Sequence, residues 1–106
     1  MRILLDQCFP NGVSRYVFGH ECVRSKDMGW NLLVDGELLE AAEQHGFQVL
    51  LTIDKGIPHQ QNLSTRNIAV IVMAPIPPTV PQLVKQVPEL LALLLKVEPG
   101  KAYFVS

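Results

Sequence analysis

Short apolar runs, separated by segments with helical spacing, constrain the fold of this chain more than any other feature. The strands that these runs predict cover residues 3–5, 48–52, 68–73 and 102–105, and the second has its apolar run at residues 49–51. Unbroken runs of this length are typical of strands buried on both faces of a sheet. Residues 21–25 alternate in polarity, which predicts an edge strand. Because strands that alternate with helices need crossover connections, the sequence predicts a three-layer α/β/α sandwich with a mostly parallel central sheet.

Three segments between the strands have helical features. Pro10 suits the first turn of a helix that would extend to about Phe18. Asp35 is predicted to be the N-cap of a second helix, which Gly46 closes. Apolar spacing from Val80 onward predicts either one helix kinked at a proline or two short helices in line. The intervening stretches, residues 26–33 and 55–67, are interpreted as loops, the first with a helical turn.

Length and composition predict one domain over residues 1–106 and exclude several classes of protein. Apolar residues make up 48% of the chain and the net charge is −1, so this is neither a disordered chain nor a basic nucleic-acid coat. No apolar stretch approaches the length of a membrane span. The first residues do not have the apolar core of a signal peptide. We therefore expect a cytoplasmic protein without membrane contacts, whose Cys8 and Cys22 are free thiols.

Acidic residues follow two of the predicted strands. Asp6 ends the first strand, Asp54 lies just beyond another, and Asp35 and Glu37 start a helix that can face the same edge. Parallel sheets bind ligands outside the carboxyl ends of their strands. Converging carboxylates favour a hard divalent cation, which can activate water and neutralise phosphate charge. The alternative interpretation is that these aspartates are turn and cap residues without further function.

Three segments of the sequence resemble those of one protein family. Residues 3–10, Ile-Leu-Leu-Asp-Gln-Cys-Phe-Pro, resemble the Ile-Leu-Leu-Asp-Glu-Asn-Leu-Pro start of short stand-alone PIN-like proteins. Residues 34–42 are similar to the family's Asp-x-x-Ile/Leu-x-x-Ala helix start. Residues 49–55, Val-Leu-Leu-Thr-Ile-Asp-Lys, are similar to its Val-Leu-Val-Thr-x-Asp-x strand end. The resemblance covers the first two-thirds of the chain.

This resemblance implies an endoribonuclease that depends on Mg²⁺ or Mn²⁺, often the toxin of a toxin–antitoxin pair. It implies that Asp6 and Asp54 are metal ligands, that Asp35 is the acid at the helix start, and that Thr52 is the hydroxyl beside the site. Glu37 and Glu40 are not matched by the family's motif, and each is either a further metal ligand, as an alternative to Asp35, or a solvated acid of the helix. The sequence departs from the family's pattern at two places. Gln7 stands where a second acid is usual, and no acid follows residues 68–73.

These departures leave two other functions open. A PIN-like module without nuclease activity, which binds a partner such as an antitoxin, is the main alternative to the enzyme. A receiver-like phosphoacceptor domain would use Asp54, but it usually has paired acids after the first strand, and Gln7 does not supply one.

Basic residues and one apolar helix segment suggest partners. Lys55, Arg66 and Arg15 are candidates for contacts with RNA phosphates, or else solvated loop cations. Residues 90–95 are apolar on nearly every helix face, so we expect an exposed remainder that supports a homodimer.

Overall fold

The computed structural model describes all 106 residues, Met1–Ser106, and its strands form one five-stranded sheet. The strands β1 to β5 are Arg2–Leu5, Glu21–Arg24, Val49–Thr52, Ala69–Met73 and Ala102–Val105. Every neighbouring pair is parallel, and the order across the sheet is β2-β1-β3-β4-β5. The predicted α/β class and parallel sheet are confirmed, and β2 lies at an edge as its alternating pattern indicated.

Three α-helices and two 3₁₀ turns connect the strands. The helices α1, α2 and α3 are Asp35–Gln44, Ile57–Gln60 and Val80–Leu94, and the 3₁₀ turns are Ser14–Tyr16 and Ser25–Met28. One face of the sheet packs against α1 and α2, and the other packs against α3 and residues 9–17. This arrangement is the predicted three-layer sandwich.

The alternation of side chains along each strand assigns the apolar runs to two cores. In β3, Leu50 contributes to the core under α1, whereas Leu51 contributes to the core under α3. Both residues are fully buried. A continuous apolar run is therefore needed in the central strands, because both faces of a covered parallel sheet exclude water.

The predicted helix over residues 10–18 is wrong. Only Ser14–Tyr16 is helical there, as one 3₁₀ turn. Gly12 has a φ of +97°, which interrupts a right-handed helix two residues after Pro10. Val13 and Val17 are still buried against α3, so the apolar spacing reports burial correctly without a helix.

Two further local predictions need correction. Asp35 is not the N-cap of α1 but its first residue, and the N-cap is Val34. The predicted loop over residues 55–67 contains the short helix α2, because Ile57 fills the core beside α1 and Pro58 suits a first helical turn. Gly46, with a φ of +79°, ends α1 as predicted.

Helix α3 continues without interruption through Pro88. Of the two alternatives predicted for this segment, the structure therefore has the single helix. In the apolar run at its end, Leu90 and Leu94 are buried, Leu91 and Leu93 are half-buried, and Ala92 and Leu95 are exposed. The predicted exposed remainder of this run is therefore present, and Leu95 is its largest side chain. No helix in the protein has the length and apolarity required to cross a bilayer.

Candidate active site

The candidate site lies where the sheet order reverses direction. The chain passes from β1 to β2 on one side and then returns to β3 on the other side, so β1 and β3 flank the switch point. Open parallel sheets bind ligands in the crevice outside the carboxyl ends of such strands. Asp6 directly follows β1, and Asp54 lies two residues beyond the end of β3.

A hydrogen-bond network joins the ends of these two strands. Thr52 is fully buried, and its hydroxyl donates to Asp6 Oδ2 at 2.8 Å. The same hydroxyl oxygen accepts the backbone N–H of Asp54 at 3.0 Å. The second carboxylate oxygen of Asp6 accepts the backbone N–H of Gln7 at 2.8 Å. These bonds fix the Asp6 carboxylate at the switch point and leave it acceptor capacity for a ligand.

The Cys8 thiol belongs to the same network. Its sulfur lies 3.4 Å from Asp6 Oδ2 and 3.6 Å from Thr52 Oγ1. Desolvation raises the pKa of this thiol, the hydrogen bond with Thr52 lowers it by less, and the negative charge of Asp6 adds to the rise. Cys8 is therefore a neutral thiol that donates to Asp6, and both Cys8 and Cys22 are free.

Asp35 brings a third carboxylate toward Asp6 and Asp54. Burial raises the pKa of the Asp35 carboxyl, and the charges of Asp6 and then Asp54 raise it further. The N-terminus of α1 positions this residue at the carboxyl edge of the sheet, because α1 runs from that edge back to the amino edge, where β3 begins. Three of the predicted site acids thus share one region of negative potential.

Asp54 uses its side chain locally as well. Its Oδ1 accepts the backbone N–H of Gly56 at 2.8 Å, which closes the turn that leads into α2. The carboxyl group remains exposed to solvent. Asp54 is therefore a turn residue, as the alternative interpretation suggested, and it also contributes negative charge near Asp35.

Glu37 does not join this group of acids. Its Oε1 accepts the backbone N–H of Val34 at 3.3 Å and so satisfies a free donor at the start of α1. Of the two alternatives for the acid at the helix start, Asp35 is the one whose pKa is raised by the charges of Asp6 and Asp54, whereas Glu37 bonds to the backbone of its own helix start.

The three predicted phosphate-binding residues lie in different surroundings. Arg66 pairs with Glu43 at 2.9 Å and reaches the carbonyl of Gly36, so its guanidinium braces α1. Arg15 is exposed on the first 3₁₀ turn. Lys55 is exposed beside Asp54 and lines a cavity of about 360 Å³ near the ends of β4 and β5. Lys55 alone is adjacent in sequence to a site acid.

Sequence reasoning missed a polar cavity on the other side of Asp6. The cavity measures about 120 Å³ and includes Arg24, Ser25 and Lys26 from the end of β2. The available signal was the parallel pairing of β2 with β1, which brings residues 24–26 to the edge that carries Asp6.

The donor set fits a hard divalent cation that keeps most of its water. The carboxylates of Asp6, Asp35 and Asp54 supply oxygen, which Mg²⁺ and Mn²⁺ prefer. No group of three or more His, Cys, Asp or Glu side chains converges closely enough to enclose an ion. Mg²⁺ usually binds through one or two carboxylates with several waters. The site therefore fits an ion held chiefly at Asp6, with Asp35 and Asp54 adding negative charge.

Comparisons with protein-family models, curated proteins and solved structures give no match to this chain. The resemblance to PIN-like proteins is therefore confined to the motifs at residues 3–10, 34–42 and 49–55.

Proposed function

We propose that this protein is a Mg²⁺- or Mn²⁺-dependent endoribonuclease of the PIN-like type, which cleaves single-stranded RNA at the carboxyl ends of β1 and β3. The observation that carries this proposal is the Asp6 carboxylate, held by Thr52 at the switch point and coupled to Asp35 and Asp54. A divalent ion bound there would activate a water molecule and neutralise charge on the scissile phosphate.

The protein's own residues would bind and orient the reacting groups. Thr52 fixes the direction of the Asp6 carboxylate through a hydrogen bond of 2.8 Å. Asp35 and Asp54 add negative charge that favours a cation over a bare phosphate at this edge. Lys55, exposed beside Asp54, is available to bind a backbone phosphate as a point charge.

The alternative is an interaction module without nuclease activity, and the missing acids favour it. Gln7 replaces one acid of the PIN-like pattern, and no group of three protein ligands surrounds an ion. An antitoxin and a second copy of the chain are the proposed partners of such a module. Leu95, Phe18 and Leu32, each more than 70% exposed, are apolar surface that such partners would cover.

The phosphoacceptor alternative also has one supporting observation. The strand order β2-β1-β3-β4-β5 is that of flavodoxin-like sheets, whose ligands bind at the same switch point. The Asp54 carboxylate, however, closes the turn to Gly56, and Gln7 supplies no paired acid. RNA cleavage therefore remains the function that the geometry supports best.

Cleavage of a labelled single-stranded RNA with Mg²⁺, with Mn²⁺ and with a chelator tests the proposal. We expect the parent protein to cleave the RNA only with a divalent ion, and Asp6→Asn to lose more than about 100-fold of the cleavage rate. Residues that merely hydrogen-bond to metal ligands already change metal affinity or activity by about 10- to 100-fold, so loss of a ligand itself should cost more. Glu40→Gln is the matched control, since Glu40 is an exposed acid of α1. No cleavage by the parent protein, or equal cleavage by Asp6→Asn, would overturn the nuclease proposal.

A further inference from the structure

A polar cavity of about 120 Å³ lies between the ends of β1 and β2 and shares the Asp6 carboxylate with the candidate active site. Its other polar residues come from the two segments that follow these strands: Gln7, Asn11, Arg24, Ser25 and Lys26. We infer that this cavity is a subsite for a backbone phosphate of single-stranded RNA, adjacent to the nucleotide at Asp6. This inference rests on the proposed RNA substrate.

The Ser25 hydroxyl is the first observation that indicates a ligand. Ser25 is 1% exposed, and its Oγ has no hydrogen-bond partner in the protein. Buried polar atoms without a partner are rare in native proteins, because each costs stability. Ser25 also lines the cavity, so a rotation of its side chain would offer this unpaired hydroxyl as a donor to an acceptor atom of a ligand there.

Cationic and amide donors surround the same space. Lys26 is exposed and forms no ion pair, so its charge is available to an anion. The Arg24 guanidinium is held by Asp27 through two bonds of 3.0 and 3.1 Å. It also donates to Asn11 Oδ1 at 3.3 Å, which leaves the amide NH₂ of Asn11 as a free donor.

The neutral side chain of Gln7 favours an anion in this cavity. An acid at this position, as in the resembled PIN-like pattern, would repel a phosphate, whereas an amide donates a hydrogen bond to it. Asp6 is the one negative group of the wall. We therefore expect Asp6→Asn to strengthen phosphate binding when no divalent ion is present.

The size of the cavity suits one phosphate group rather than a whole nucleotide. Its volume of about 120 Å³ is well below the roughly 300–1,000 Å³ of pockets that enclose whole small-molecule ligands. A nucleobase would have to lie outside this space. The cavity therefore recognises the RNA backbone and contributes no base specificity.

RNA binding without divalent ions tests this subsite independently of catalysis. The background is Asp6→Asn, which keeps the RNA intact, and the probe is a fluorescent single-stranded octauridylate measured by anisotropy in a chelator at several salt concentrations. We expect Lys26→Ala to weaken binding about fivefold at 0.1 M salt and to reduce the salt slope by about 0.7, the contribution of one phosphate contact on a single strand. Lys96→Ala, an exposed lysine beyond the end of α3, is the matched control and should change neither quantity.

Ser25→Ala provides a second signature that a structural role would not give. We expect this variant to bind the octauridylate more weakly with an unchanged salt slope, and to have a higher melting temperature because a buried hydroxyl without a partner is removed. Inorganic phosphate at millimolar concentration should compete with the RNA and shift the backbone amide resonances of Ser25 and Lys26.

The outcomes separate this inference from the nuclease proposal. Equal weakening by Lys26→Ala and Lys96→Ala would show general charge attraction and overturn the subsite. A lower melting temperature with unchanged affinity in Ser25→Ala would overturn it too, as would phosphate binding that the RNA does not compete with. If Lys26→Ala cleaves RNA normally with an unchanged KM, the subsite is overturned and the nuclease proposal stands. If the variants show the expected binding pattern but the parent protein does not cleave RNA, the nuclease proposal is overturned and the subsite stands.

Discussion

Replacing Thr52 with valine removes one hydroxyl from the centre of the site and leaves the shape of the side chain unchanged. The residue is fully buried, so the change creates no cavity. The two short hydrogen bonds of this hydroxyl are lost, one donated to Asp6 at 2.8 Å and one accepted from the backbone N–H of Asp54 at 3.0 Å, together with its longer contact of 3.6 Å with the Cys8 sulfur. The variant therefore measures how strongly the hydroxyl joins the ends of β1 and β3.

The expected cost follows from these two bonds. A hydrogen bond to a charged acceptor contributes about 1.5–3 kcal/mol. The Asp54 residue is exposed, so water can replace part of the second bond. We expect Thr52→Val to lose about 2 kcal/mol of unfolding free energy, which corresponds to about 8–16 °C in Tm for a domain of this size. Thr52→Ser keeps the hydroxyl and loses one buried methyl group, at a cost of about 1 kcal/mol.

Urea denaturation of the parent protein and both variants at neutral pH measures this order of stability. A double-mutant cycle with Asp6→Ala isolates the contribution of the Thr52–Asp6 bond, because alanine has no acceptor for the hydroxyl. If Thr52→Val were as stable as the parent protein, or more stable than Thr52→Ser, the hydroxyl would not be the group that holds Asp6 and our account of the site geometry would fail.

Three further predictions concern Asp35, Glu43 and helix α3. Burial, and then the charges of Asp6 and Asp54, raise the pKa of the Asp35 carboxyl above 3.8. The folded protein therefore binds this proton more tightly than the unfolded protein does. As a result, ionisation of Asp35 lowers the unfolding free energy as pH rises above 3.8. Asp35→Asn should therefore remove this loss of unfolding free energy as pH rises above 3.8; a pH dependence of stability parallel to that of the parent protein and of Glu40→Gln would contradict this. Glu43→Gln should cost about 1–3 kcal/mol, because its ion pair with Arg66 is about one-fifth exposed and it also accepts the N–H of Asn67. Glu98→Gln, at an exposed ion pair, is its control, and equal losses in the two variants by urea denaturation would refute the bracing role. Leu90→Ala should cost about 2–5 kcal/mol and Leu95→Ala less than about 0.5 kcal/mol; comparable losses in thermal scans would show that Leu95 is not exposed in solution.

The sequence predicted the sheet well because the signal for a strand covered on both faces is local. Residues 68–73 are apolar throughout, and β4 is buried throughout. The edge position of β2 followed from its alternating polarity in the same way. Register and strand order placed Asp6 and Asp54 at one edge, which the rule for parallel strands had already implied.

The failures came from interactions that the local sequence does not contain. The helix over residues 10–18 failed because Gly12 adopts a positive φ, which overrides the helical signal of Pro10. The ion pair between Arg66 and Glu43 was not predicted, because Glu43 lies 23 residues earlier and only packing brings the two side chains together. The cavity around Ser25 was missed since it depends on two separate segments.

Binding of Mn²⁺ tests the central claim, that the Asp6 region is a divalent-cation site, most directly. The melting temperatures of the parent protein, Asp6→Asn and Glu40→Gln are measured with and without Mn²⁺. Glu40→Gln is the control, because Glu40 is an exposed acid of α1. At about one hundred times its dissociation constant, the ion should stabilise the parent protein and Glu40→Gln by about 2.7 kcal/mol, and Asp6→Asn should gain almost nothing. Equal small shifts in all three proteins would contradict the claim, and the interaction-module alternative would then replace the ribonuclease.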